Sequence, residues 1–173
     1  AREIVNAADQ HDLPPVVLVH DYQLYLVPAE VRRARPDAAI VHFTHIPWPE
    51  PEAWDVLPIA IRRAIVRGML GADVIGFQTS RDARRFLGTV RRILPQAVVN
   101  DEQMTVRLGE HEAKVRAYPI SIDPASLQQA ASSPEVERYR QRLRPLLCPN
   151  TIVRVDRMDP SKNVLAGFRA FDR

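Results

Sequence analysis

The stretch Val16-Val-Leu-Val-His20-Asp21-Tyr22 joins a short, apolar, β-branched run to three polar residues. A run of that length without alternation suits a parallel strand buried on both faces, where the polar residues that follow lie at its carboxyl end. The pattern recurs along the chain. Ala39-Ile-Val-His-Phe43, Asp73-Val-Ile-Gly-Phe77, Lys114-Val-Arg-Ala-Tyr118 and Thr151-Ile-Val-Arg-Val155 read as further strands. Helical patterns separate them, over 25–35, 51–71, 80–94 and 134–147, with Pro28 in a first turn and Thr79 or Ser80 capping the helix before Asp82. Alternation of strand and helix predicts an α/β fold with a doubly wound, mostly parallel sheet.

One region breaks the rhythm. Met104–Leu108, Gly109-Glu110 and Glu112–Tyr118 read as a hairpin on a glycine turn, and Ser121–Ser133 as a loop with a helical turn. A boundary therefore falls near 122–145, followed by the start of a second α/β domain. Residues 1–122 belong to the first domain, 123–145 to a helical connection, and 146–173 to the second domain. The chain opens inside a helix at Ala1 and stops inside another, Phe168–Arg173, which reads as a segment of a larger protein.

Composition excludes several classes. Of 173 residues, 46% are hydrophobic and 26% charged, as in a globular protein and unlike a disordered one. The net charge of +3 comes from arginines spread over several helices among acidic residues, so no nucleic-acid footprint is expected. No apolar run approaches the ~18 residues of a membrane span. The single cysteine, Cys148, rules out an internal disulfide and fits a reducing, cytoplasmic compartment.

Three clusters could carry chemistry, each at the end of a candidate strand, where open α/β sheets bind ligands. His20-Asp21-Tyr22 offers a carboxylate for sugar hydroxyls with two rings beside it. His45-Ile-Pro-Trp-Pro49 is a loop stiffened by two prolines, and a His beside a Trp suits a polyol ring with one apolar face. Trp48 and Trp54 are equally readable as core aromatics. Arg157-Met-Asp-Pro-Ser-Lys162-Asn163 runs into the helical pattern of Val164, Leu165, Phe168 and Phe171. An Arg and a Lys beside a helix start make a seat for a diphosphate, and lysine occurs elsewhere only at position 114. The plainer reading of each cluster is a satisfied structural histidine or a solvated charge. His42 and His45 would face opposite sides of a strand, and no metal or cofactor is expected. Ser80 and Ser161 read as helix caps. Neither a Gly-x-Gly-x-x-Gly loop nor a Walker loop is present, nor an Asp-x-Asp pair to hold a cation, so a leaving diphosphate would rely on Arg157 and Lys162.

Five motifs in order resemble those of the trehalose-6-phosphate synthase family, retaining glycosyltransferases of the GT-B type. Val19-His-Asp-Tyr-Gln-Leu24 resembles VHDYHL, and His45-Ile-Pro-Trp-Pro49 resembles HIPFP or HIPWP. Leu70–Thr79 with Ala83-Arg-x-Phe-Leu87 resembles LLGADLIGFQT…ARxFL. Tyr118–Pro124 resembles FPIGIDP, and Val155–Lys162 resembles VDRLDYxKG. The resemblance implies two Rossmann-like domains, of which this chain covers the later part of the first, acceptor-side domain and the start of the donor domain. It implies transfer of glucose from UDP- or GDP-glucose to glucose 6-phosphate with retention. Asp21, with Tyr22 and His20, would hold the acceptor, His45 would lie at the reacting centre, and Arg157 and Lys162 would bind and stabilise the leaving diphosphate. It leaves a homo-oligomer open, and it implies that these 173 residues alone are inactive.

Departures keep alternatives open. Pro160, Asn163, Ser121 and Gln23 stand where the family has Tyr, Gly, Gly and His. The Arg-x-Asp-Pro-Ser-Lys-Asn form resembles an actinobacterial branch. That branch includes pseudo-glycosyltransferases coupling a nucleotide-cyclitol to an amino-cyclitol phosphate. A catalytically silent, sugar-phosphate-sensing relative is the third reading.

Overall fold

In a computed structural model, residues 1–10 and 13–172 are described; the expected end of the last helix at Arg173 lies outside them. The chain forms two compact units, Ala1–Ser121 and a second from Ile122 onward.

The first unit runs α1 (Arg2–Ala8), β1 (Val16–His20), α2 (Val27–Ala34), β2 (Ala39–Thr44), α3 (Ile59–Met69), β3 (Val74–Phe77), α4 (Ser80–Ile93), β4 (Val98–Asn100), β5 (Thr105–Leu108) and β6 (His111–Ala117). Its strands form a six-stranded sheet among the described residues, in the order β1-β2-β3-β6-β5-β4. The first four in that order are parallel neighbours, while β5 runs antiparallel to both β6 and β4. The β5–β6 hairpin turns on Gly109, whose φ of 63° needs no Cβ. The parallel α/β architecture is the one the alternating pattern predicts.

Burial differs strand by strand. β3 lies inside the sheet, with Ile75, Gly76 and Phe77 buried, as a two-sided strand should be. β1 is an edge strand and alternates instead, with Val17 and Val19 buried while Val16 and Leu18 are 73% and 65% exposed. The interior strands β2 and β6 alternate as well, so the expectation of burial on both faces holds for β3 and fails where only one face of the strand is fully covered. Helices α2 and α3 cross closely. A Cβ on Gly71 would fall 2.4 Å from the Ala29 backbone, and one on Gly68 2.5 Å from the Tyr25 carbonyl.

The expected helix over 51–71 is two elements. A 3-10 segment, Pro51–Val56, ends before Pro58, which caps α3. Proline keeps its predecessor extended, and Leu57 has a ψ of 146°. Thr79 caps α4, its hydroxyl accepting the Asp82 N–H, and Ser80 is the first helical residue.

The second unit carries α5 (Pro124–Ala131), α6 (Pro134–Leu143) and α7 (Val164–Phe171). Residues 121–133, expected as a loop with a helical turn, contain all of the longer helix α5. Asp123 caps it through Ala125 and Ser126, and Pro124 opens the first turn, a start signal that outweighs the polar run behind it. Helix α6 stops four residues short of the expected 147, where Arg144–Leu146 tightens to 3-10 around Pro145. Thr151–Val155 is not a strand in this structure. A strand is defined by its pairing, and this unit supplies no partner strand among the described residues. Ile152, Val153 and Val155 are 75%, 75% and 91% exposed.

Candidate functional site

The parallel register pairs His20 with Phe43 at the carboxyl ends of β1 and β2, so the next residues of the two strands meet. Asp21 donates its N–H to the Phe43 carbonyl at 2.8 Å, and its own carbonyl accepts from Leu24 N at 3.2 Å. Those two bonds bracket a backbone at φ 68°, ψ 174°, a region that side-chain-bearing residues rarely enter and that costs about 1–3 kcal/mol. The Asp21 carboxylate accepts the His45 backbone N–H at 3.3 Å. Nδ1 of His20 lies 3.0 Å from Nε2 of His45. His20, Asp21 and His45 therefore form one cluster. Tyr22 opens the following 3-10 turn with 51% of its surface exposed.

Behind this cluster the sheet buries polar groups. His42 faces the interior, fully buried, while His45, just past the end of β2, is exposed. Among the described residues, neither ring nitrogen of His42 nor the Thr44 hydroxyl makes a well-formed hydrogen bond, although the Asp21 backbone approaches the imidazole and the Tyr25 phenol approaches the hydroxyl. Burial pushes the His42 imidazole down to about 4, against the opposing pull of the Asp21 backbone. Burial likewise pushes the Tyr25 phenol up to about 12. Among the described residues no group of three or more His, Cys, Asp or Glu could hold a metal ion.

The His45–Pro49 loop is anchored from below. Trp48 is 1% exposed, with edge contacts to Phe77 and Phe86 and its Nε1 donating to Thr89 Oγ1 at 3.0 Å. Its backbone N–H donates to Asp82 Oδ1 at 3.1 Å, and Thr79 Oγ1 donates to Asp82 Oδ2 at 2.6 Å. The indole belongs to the core and offers no face to a sugar, so the polyol-platform reading of Trp48 does not hold. Asp82 and Thr89 were not among the sequence candidates. The available signal was the Thr-x-x-Asp spacing of a capping box, read only as a helix start.

The second cluster belongs to the other unit and has its own geometry. Asp159, not Ser161, caps the 3-10 turn Pro160–Lys162, its Oδ1 accepting Ser161 N–H at 2.8 Å. The Ser161 bonds, then Arg157 and Lys162, hold the Asp159 carboxyl below its ordinary range. Arg157 is 82% exposed, with Nη2 only loosely set 3.8 Å from Asp159 Oδ2. The Lys162 carbonyl accepts from Arg154, whose guanidinium also pairs with Asp156. Asn163 takes the left-handed conformation (φ 49°, ψ 44°) that leads into α7. Glycine enters that region freely and asparagine is the side-chain residue that tolerates it best, which explains how Asn163 replaces the expected Gly.

The arrangement offers a carboxylate and an imidazole at adjoining strand ends, and two cations on a loop entering a helix. The glycosyltransferase family 20 model matches residues 1–173. The chain is 42% identical over 159 residues to a validamine 7-phosphate valienyltransferase of Streptomyces hygroscopicus subsp. jinggangensis, covering 91% of this chain and 31% of that protein. It is 37% identical over 163 residues to a trehalose-6-phosphate synthase of Mycobacterium avium, covering 90% and 33%. A crystal structure of a UDP-forming α,α-trehalose-phosphate synthase from Burkholderia xenovorans matches with a TM-score of 0.74 at 30% identity, covering 99% of this chain and 39% of that one. The chain thus spans about a third of the length of these curated relatives. Its fold class is that of the GT-B trehalose-phosphate synthases. On sequence and fold together, the chain belongs to glycosyltransferase family 20.

Proposed function

We propose that the protein moves glucose from a nucleotide-glucose donor to glucose 6-phosphate, forming trehalose 6-phosphate with retention of configuration. In this reading residues 1–122 are the acceptor-side domain, 123–145 the connection and 146–173 the start of the donor domain. The observation that carries it is Asp21. A carboxylate kept on a strained backbone at the end of a parallel strand, with His45 fastened to it, is hard to explain as a fold requirement. It suits a group that must accept hydrogen bonds from acceptor hydroxyls at a fixed place, with Tyr22 beside it.

The acceptor hydroxyl oxygen forms the new bond to the anomeric carbon as the bond from that carbon to the diphosphate oxygen breaks. The departing oxygen takes the acceptor's proton on the same face. Arg157 and Lys162 stabilise the charge that develops on the diphosphate, so neither a carboxylate nucleophile nor a cation is needed. His45 sits by the reacting centre and orients donor and acceptor hydroxyls.

The higher identity to the valienyltransferase favours a second reading, coupling of a nucleotide-cyclitol to an amino-cyclitol phosphate through a C–N bond. Both readings use the same diphosphate seat and differ in the acceptor. The test follows nucleoside diphosphate release by the protein as encoded in full. UDP-glucose and GDP-glucose are offered with glucose 6-phosphate, and nucleotide-linked valienol with validamine 7-phosphate. Release that requires glucose 6-phosphate supports the first reading. Release only with the cyclitol pair replaces it with the second. No release with any pair contradicts both.

A further inference from the structure

His20 was expected to shape the acceptor pocket, yet its closest polar contact is the ring of His45. The two ring centroids lie 5.2 Å apart with planes 26° from parallel. That separation exceeds the 3.0 Å between Nδ1 of His20 and Nε2 of His45 by roughly two centroid-to-nitrogen distances, so the rings meet edge to edge along a hydrogen bond. One proton occupies that line. If His20 donates, Nε2 of His45 accepts and its Nδ1 carries a proton. If His45 donates, its Nδ1 is bare. The contact therefore couples the tautomers of the two rings and leaves Nδ1 as the ring nitrogen of His45 open to a substrate hydroxyl. Two further contacts complete the clamp. The His45 backbone N–H is held by Asp21 at 3.3 Å, and the Phe43 ring lies 4.8 Å from the His45 ring at 59°.

We propose that His20 is a positioning residue. Through Nδ1 it fixes the rotamer and tautomer of His45, and it does not itself hold the acceptor. The proposal deepens the transferase reading and rests on it for the role of His45. Both rings are exposed, so water competes for the bond and its contribution to folding is small. Its consequence is orientation, which stability measurements would miss and chemistry would feel.

The test uses the protein as encoded in full, with His20→Ala, His20→Gln and His20→Asn. An asparagine amide reaches about where Nδ1 sits, whereas a glutamine amide reaches toward Nε2. Long-range proton–nitrogen spectra of the histidine rings should show His45 in one tautomer in the wild type and in His20→Asn. In His20→Ala and His20→Gln the tautomers should average. Turnover should fall about tenfold in the Ala and Gln variants and recover in Asn, with KM for the sugar phosphate and the melting midpoint unchanged. Adding His20→Ala to His45→Ala should cost nothing more. Unchanged His45 signals in His20→Ala overturn the proposal, as does a raised acceptor KM at full kcat, or an additive double variant. If His45→Ala slows turnover and His20→Ala does not, only this inference falls. If His45→Ala leaves turnover intact, the functional reading of His45 falls with it.

Discussion

Asp21 and His42 show how single residues store cost beside the candidate site. The Asp21 backbone would be unstrained as glycine, so Asp21→Gly should gain about 1 kcal/mol after the entropy of a freer unfolded chain is set against the relieved strain. The same variant should raise the acceptor KM and so lower kcat/KM for the acceptor about a hundredfold. Denaturant titration and a rate assay on one preparation check both, and a variant neither stabilised nor slowed would contradict the assignment. His42 gives a pH dependence. Its folded imidazole stays neutral down to about 4, whereas the unfolded ring takes a proton near 6.5. Between those values the unfolded state binds more protons, so stability falls as pH drops from 6.5 to 4 and this contribution is flat above. The loss is on the order of 3 kcal/mol. His42→Leu should flatten that part of the profile of denaturation midpoint against pH, since it removes the titrating ring.

At the scale of elements, placement of the site depends on two supports. Asp82, at the start of α4, ties that helix to the backbone of Trp48 and so to the loop carrying His45. Asp82→Ala strands the Trp48 N–H in a buried place and should cost about 2–3 kcal/mol, seen as a lower denaturation midpoint. Gly71, in the turn just past α3, packs directly against the α2 backbone at Ala29. Gly71→Ala forces the Ala29 backbone away and should cost about 3 kcal/mol or more, whereas Gly109→Ala, with open space around it, strains only its turn. The elements also show what was legible. The parallel strands, the hairpin and α2 and α4 follow from apolar runs, a Gly turn and Thr79, because each signal is local. Residues 151–155 look like a strand but are unpaired, since pairing is a property of a neighbour. The full length of α5, expected only as a helical turn, was hidden by its polarity, although Asp123-Pro124 announced its start. Within the site, the approach of His20, Asp21 and His45 is implicit in the strand-end motifs. The hydrogen bond between the two rings and the core role of Trp48 depend on register and packing that no single motif encodes.

For the whole molecule, the two candidate half-sites lie in separate units, Asp21 and His45 in one and Arg157 and Lys162 in the other. No helix of the described residues is long and apolar enough to cross a membrane. The transferase reading requires both half-sites in one reaction, and the chain spans about a third of its curated relatives, so these 173 residues alone should show no transfer. The central claim is that Arg157 and Lys162 seat the departing diphosphate while the Asp21 cluster holds the acceptor. The most direct measurement is acceptor-dependent nucleoside diphosphate release by the protein as encoded in full, compared with Arg157→Ala, Lys162→Ala and Asp21→Ala. The account predicts that turnover falls about a hundredfold or more in both cation variants, and that Asp21→Ala raises the acceptor KM while leaving donor affinity alone. Folded cation variants that release diphosphate at the wild-type rate would contradict it.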